Sequence, residues 1–515
     1  MMATLNYLRH IGVVAVALFA TTSHAEISYS DVSGDLNSTV IKMTVTPAPA
    51  PVPVFAHRFV TEDIELKSGN AAPYYYRTLL DLPRRMEAVR KKYDEEAMLE
   101  KWYSTDGHAM PIDQLPVDQM RKALEMSLGG WVWEQLSEAT IRRECDFELG
   151  ISEVRGMELI YISLEEFQRS REVSRLLALR TRLAVAEKRY DDAIATMRIN
   201  YRLAENFGSL PFIVSGLIGI AEAGVTNGTA LELMSRPGSP NLYWALSELP
   251  APLVNMRTAA RFELAFGPRL FPYIHHAETT DRSHGEWNRL LVATYRDLIK
   301  SGSDLQLMGD DPLFGGIDKM GSDLGPGLVA TGSALLGYSQ AKSQLIAGGM
   351  DPARVEKMAV GQVIAIYTER NYQRFADEWE SLWYMPFWES HLREDGMEAR
   401  VMRAKLTSGN PDREVIPLVS LLFPAMQAAR SAQVRLEREI ASMRVIEAIR
   451  MYAADNEGRL PGSLDAIDQV PVPNNPATGK AFIYHLKDST GILELPLSDG
   501  IPVSRRYEIQ IAKTK

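Results

Sequence analysis

Residues Ser420–Tyr484 read SLLFPAMQAARSAQVRLEREIASMRVIEAIRMYAADNEGRLPGSLDAIDQVPVPNNPATGKAFIY. Leu436, Ile440, Met443, Ile446, Ile449 and Tyr452 recur at steps of three or four. That spacing puts them on one face of a helix, with Arg435, Arg438, Glu439 and Arg444 on the other side. The pattern predicts one long amphipathic helix with Pro424 in its first turn and a stop at Gly458 before Pro461. About 33 residues at ~1.5 Å each make a rod of roughly 50 Å, which needs a surface to lie on. Beyond Gly458 the runs AFIYHL, GILELP and RRYEIQIA have strand composition and are separated by turn-prone segments. A small antiparallel meander carrying Phe482, Tyr484, Leu493 and Ile509 is expected to fold onto the helix, because neither part buries its apolar face alone.

The helix ending IEAIRMYAADNEGRLPGSL, followed by NPATGKAFIY, resembles the helix, GRxP turn and small sheet of bacterial type II secretion pseudopilins. That resemblance implies a role as an accessory of a secretion or pilus-like system. A pseudopilin carries its helix at the mature N-terminus behind a prepilin-peptidase site, whereas this helix starts some 420 positions into the chain and is studded with Arg and Glu. Pilus assembly is therefore not implied. More widely, NAAPYYYR, DPARVEKM and VPVPNNPATGK resemble motifs of large secreted proteins of planctomycete-type bacteria, a likeness that implies no activity.

At 515 residues the chain exceeds one ordinary core, so two or three packed units are expected. Its 56 Lys and Arg against 66 Asp and Glu leave a net charge of −10 with no basic block, which argues against a nucleic-acid or anionic-membrane surface. Residues 1–25 read as a signal peptide: Arg9, an apolar run from Ile11 to Ala20, then Ser23-His24-Ala25 as the cleavage site. About ten apolar residues are too few to cross a bilayer core of ~30 Å, so no anchor is expected there. Cys145 is the sole cysteine, which excludes an internal disulfide and reads as a small packed residue.

In chain order, 26–69 reads as an extended tether built on the Pro47–Val54 run PAPAPVPV. A helical region then spans 70–265, opening on Tyr74, Tyr75 and Tyr76, which are expected to pack under a helix end. Asp118 is expected to cap the helix that follows Pro116. Leu176, Leu179, Leu183, Tyr190, Ala193, Met197 and Tyr201 outline a helical hairpin resembling a degenerate tetratricopeptide unit. Leu210–Val225 is the most apolar mature segment, but with Pro211 and Glu222 near its ends it reads as a buried core helix. Residues 266–415 form a second helical region with a Gly/Asp-rich loop around GDDPLFGGIDKMGSDLGPG, a helix capped by Asp351-Pro352, and an aromatic seam at Trp379, Trp383, Tyr384, Phe387 and Trp388. Residues 416–515 hold the long helix and the β module.

Catalytic motifs are sparse. Ser339-Gln-Ala-Lys342 with Ser408-Gly-Asn410 mimics two of the three penicillin-binding-enzyme motifs, but the KTG element is missing downstream. The Asp residues at 304, 310, 311, 318 and 323 lack calcium-loop spacing. His275, His276 and His284, beside Glu278 and Asp281, are the weak candidates for a metal site. Their spacing fits no zinc pattern, so no metal, catalytic residue or cofactor is expected.

The resulting expectation is a mainly α, helical-repeat-like multi-helix array with a long C-terminal helix and a small antiparallel β module. It would be exported to the periplasm or beyond and act as a non-enzymatic binding or scaffold protein with protein partners in the cell envelope. It would bind no nucleic acid and have no integral membrane span. An extracytoplasmic hydrolase with its site near 267–349 is the alternative from another class.

Overall fold

The computed structural model describes residues 27–32, 35–93, 102, 110–154, 165–265, 270–305, 324–391, 393, 396–397, 414–498 and 500–512. The expected signal peptide, the segment 306–323 with its aspartates, and Ser408 and Asn410 lie outside these residues.

The protein is mainly helical with a small sheet, as its sequence predicts. In chain order the described helices are α1 (Ala72–Tyr93), α2 (Val117–Leu128), α3 (Trp131–Thr140), α4 (Ser170–Ala186), α5 (Tyr190–Gly208), α6 (Ile213–Met234), α7 (Tyr243–Ser247), α8 (Arg257–Leu264), α9 (His284–Leu305), α10 (Leu324–Ala347), α11 (Pro352–Lys357), α12 (Val360–Leu382) and α13 (Leu418–Asp455), with shorter turns between them. The strands are β1 (Ile27–Val32), β2 (Asp35–Val45), β3 (Lys67–Asn70), β4 (Arg142–Glu144), β5 (Ile483–Lys487), β6 (Thr490–Leu495) and β7 (Ser504–Ile511).

The hairpin is α4 and α5, and α6 packs along both. The apolar segment at 210–225 belongs to α6, whose Ile213, Ala223, Leu233 and Met234 are fully buried. Its small residues let helices touch. A Cβ at Gly219 would lie 2.7 Å from Gly208 Cα, closer than real Cβ atoms come, so α5 and α6 approach backbone to backbone there. Asp351 caps α11 as expected, its carboxylate accepting from Ala353 N at 3.2 Å. Asp118 does not cap α2; that position falls to Pro116, whose fixed ring suits the entry to a helix, and Asp118 instead pairs with Arg121 inside the first turn. The Gly-rich composition after 324 forms not a loop but α10. Gly337 there sits against Val415, where a Cβ would fall 3.3 Å from the valine Cβ.

The rod α13 is one or two turns longer at its start than its proline suggested, and its surroundings overturn the amphipathic reading. Ile446 and Ile449 are fully buried as expected, but Arg435, Arg438, Glu439, Glu447 and Arg450 are buried too. The helix is enclosed. α6 and α7 pack on it, Arg438 donates to Pro496 O at 2.8 Å, and Arg505 pairs with Glu439 from β7. Arg residues mark the far side of α13 not because it faces water but because carbonyls and carboxylates of other elements end there. Burial, reinforced by the charge of Arg505, pulls the Arg435 and Arg438 guanidiniums down to about 10.

The meander β5-β6-β7 is antiparallel as predicted, but the sheet is larger, with order β1-β2-β7-β6-β5. The 26–69 segment is therefore not a tether. β2 runs parallel to β7 with Ile41 opposite Tyr507 and Met43 opposite Ile509. Ile41, Met43 and Val45 alternate inward along β2, the two-residue period of a half-buried strand, and all three are buried. Ala48, inside the Pro/Ala run, donates its N–H to Arg450 O at 3.1 Å, while Val52, Val54 and Phe55 further along are exposed. Most buried apolar residues, from Ile41 of β2 to Ile509 of β7, belong to one continuous cluster.

Candidate functional site

The histidines do not converge. His275 ends the single turn Pro272–His275 and His276 follows it, their rings tilted by 49° with centroids 4.6 Å apart. His275 Nδ1 lies 2.8 Å from Glu369 Oε1, and burial pushes the Glu369 carboxyl above the usual carboxylate range against the opposing pull of His275. Glu278, beside them, is tied to Arg370 at 2.9 Å. His284 starts α9 instead, with Nε2 3.1 Å from Lys357 O. All three imidazoles are exposed. Among the described residues no three His, Cys, Asp or Glu side chains are placed to hold a metal ion.

Other reactive side chains are engaged. Lys342 pairs with Glu356, and Ser339 lies on the exposed face of α10. Burial pushes the Cys145 thiol up to about 12, so it is a protonated, partly covered thiol packed on the core. The tyrosine trio is packing: Tyr75 joins Phe147 and Phe207 in an aromatic cluster, Tyr76 donates to Phe147 O at 3.1 Å, and the Arg142 guanidinium lies over Tyr74. The tryptophans at the end of α12 form a seam, with Arg430 of α13 lying 5.2 Å over the Trp383 ring. Exposed Tyr384 and Trp388 continue it to the surface.

A concave site occurs elsewhere, where the polar face of α5 meets the segment 59–66. A cleft of about 390 Å³, counted out to open solvent, is lined by Phe59, Val60, Thr61, Leu66, Thr140, Arg198, Tyr201, Arg202, Glu205, Leu249, Pro250 and Leu253. The 3.6-residue period of α5 sets its polar wall: Arg198, Arg202 and Glu205 stand at i, i+4 and i+7. Arg202 is held at both ends, donating to Glu205 Oε2 at 2.7 Å and to Arg142 O at 2.8 Å. Tyr201 faces inward, its ring 5.0 Å from that of Phe59. The opposite wall is tied down by Glu248, which accepts from Phe59 N at 2.6 Å and Val60 N at 3.1 Å and pairs with Arg58 at 3.0 Å. These bonds fix the loop, so the cleft is largely preformed.

No family model, curated protein or solved structure matches this chain.

Behind the cleft, the Tyr201 hydroxyl donates to Asn227 Oδ1 at 2.8 Å and Asn227 Nδ2 donates to Glu439 Oε2 at 3.2 Å. Glu439 in turn holds Arg505. A buried polar chain thus joins the cleft floor through α6 and α13 to the sheet. Its low-dielectric setting makes each bond costly to break. Burial raises the Tyr201 phenol above its ordinary range, so it is a donor and not an acid at neutral pH. Sequence reasoning missed Arg198, Arg202 and Glu205 because they look like the solvent face of an ordinary hairpin helix. The available signal was Tyr201, an aromatic residue flanked by those arginines in RINYRLAEN.

Proposed function

We propose that this is an exported binding or scaffold protein of the cell envelope, which holds a ligand or protein partner and does not turn over a substrate. One observation carries the reading. The described concave site pairs two guanidiniums with apolar walls but contains no nucleophile–base pair, while Cys145 and Lys342 are committed to packing and pairing. Among the described residues no helix is long and apolar enough to cross a membrane, which fits a chain released after signal cleavage. Export is tested by mass spectrometry of the native protein, which should begin at Glu26; a retained Met1 or a cytosolic location refutes it.

The hydrolase reading keeps one specific support, the 2.8 Å contact between His275 and Glu369. A panel of chromogenic esters, peptides, glycosides and phosphate monoesters decides between the two. Turnover abolished by His275→Ala, or about one zinc per chain lost with His275→Ala plus His276→Ala, establishes an enzyme. The absence of turnover together with saturable ligand binding establishes a binding protein. The secretion-accessory reading rests on the GRLPGSL and NPATGK segments, and direct binding to purified pseudopilins tests it.

A further inference from the structure

Arg198 and Arg202 leave the same face of α5 one turn apart and line the same cleft, but only one of them is committed. Arg202 is held by Glu205 and the Arg142 carbonyl. Arg198 is half-buried, and among the described residues its guanidinium meets no acceptor. Its nitrogens are not among the buried, unsatisfied ones, so they stay reachable, and a ligand entering the cleft can supply the acceptor that the protein does not. The planar fork of a guanidinium matches a carboxylate. Across the cleft Phe59, Leu66, Leu249 and Leu253 offer apolar surface with no acceptor of their own side chains.

We infer that the cleft binds a monoanionic carboxylate carried on an apolar group, with the carboxylate at Arg198 and the apolar body against Phe59, Leu66 and Leu253. This deepens the binding reading above and rests on it. The charge follows from the wall: two guanidiniums against the Glu205 carboxylate leave one positive charge, which a monoanion neutralises, whereas a phosphate dianion would set excess negative charge beside Glu205. A free small acid and the C-terminal carboxylate of a peptide ending in an apolar residue share this chemistry.

The test is titration of the full mature protein, by ligand-observed NMR at millimolar concentration, with N-acetyl-leucine, N-acetyl-leucinamide, N-acetyl-seryl-leucine and phenyl phosphate. Saturable binding of at least one leucine carboxylate is expected, with the amide and phenyl phosphate weaker by about tenfold or more, since each loses or mismatches the charge-assisted pair. Arg198→Gln is expected to weaken the acid by about tenfold without moving the melting temperature, and Arg198→Lys to recover part of the loss. Preference for the acetyl-amino acid over the dipeptide assigns a free acid; the reverse assigns a peptide terminus. Equal binding of acid and amide, binding unaffected by Arg198→Gln, or no binding of either leucine carboxylate overturns the inference. If Arg198→Gln lowers the melting temperature, the acid-to-amide ratio on the unaltered protein decides alone. The broader binding reading fails separately, by turnover in the substrate panel.

Discussion

Arg450 Nε donates to the carbonyl oxygen of Thr46 at 3.0 Å, across 404 positions of sequence. The same guanidinium pairs with Glu447 at 2.9 Å, both side chains fully buried, and donates to Pro240 O at 3.2 Å and Ser239 O at 3.0 Å. One side chain thus fastens the exit of β2, the α6–α7 turn and the long helix together. Arg450→Met removes every one of these bonds and leaves Glu447 as a buried, unpaired charge. The expected cost is about 3–5 kcal/mol in denaturant unfolding. Adding Glu447→Leu should recover only part of it, because the carbonyls of Thr46, Ser239 and Pro240 stay unsatisfied. Full recovery would show that the pair, and not the clamp, matters.

The sheet ties both ends of the described chain to α13. A chain starting after Val45 leaves one edge of β7 unpaired and bares Tyr507 and Ile509, while one ending at Gly458 bares the α13 face beneath the sheet. Either truncation is expected to aggregate or to be rapidly proteolysed. Ile446→Ala in the full chain should cost about 2–5 kcal/mol. An unchanged melting temperature after either truncation would make the sheet an independent appendage.

Close backbone contact is expected to make two glycines irreplaceable. A methyl at Gly219 meets Gly208 Cα of α5 at 2.7 Å, and one at Gly361 meets the Trp287 carbonyl carbon of α9 at 2.7 Å. Backbone cannot swing away as a side chain can, so Gly219→Ala and Gly361→Ala should each cost about 1–3 kcal/mol despite alanine's better helix propensity. Gly228, inside α6 with open space around it, is the control: Gly228→Ala should be neutral or stabilising, as melting temperatures will show.

Glu222 is buried in α6, and burial pushes its carboxyl up to about 8. Geometry agrees: Ser170 Oγ lies 2.6 Å from Phe167 O and 2.5 Å from Glu222 Oε1, and a hydroxyl with one proton serves both only if the carboxylic acid donates to it. The native state therefore keeps a proton that the unfolded chain gives up near pH 4.5. Its stabilising effect is full below that point and is lost as pH rises to about 8, with a slope approaching ~1.4 kcal/mol per pH unit. Glu263, raised to about 7 by burial, adds a second contribution over a narrower window. Unfolding free energies measured across this range should fall with pH in the native protein and less steeply in Glu222→Gln; parallel curves would refute the assignment.

The periodicity of α4 and α5, the apolar run of α6, the Asp351 cap, the three C-terminal strands and the burial of Ile446 and Ile449 were legible because each depends on neighbours within a few residues: a helical period, a continuous apolar stretch, an N-cap side chain, an alternating run. The strand at Ile41, Met43 and Val45 had the right alternation but only three inward positions, beside a Pro/Ala run that reads as a spacer. The charges of α13 misled for a different reason. Periodicity reports which residues share a face, but whether that face meets water or the carbonyls of Thr46, Pro240 and Pro496 depends on chain segments far away in sequence. The cleft is the same kind of object. By itself the sequence determined the helical class, the Asp351 cap and the C-terminal meander, all local in origin. Only tertiary structure decided that β2 joins β7, that α13 is enclosed, and that Arg198, which meets no acceptor among the described residues, shares a cleft with Phe59 and Leu253, because pairing, desolvation of the α13 charges and concavity exist only once distant segments are brought together.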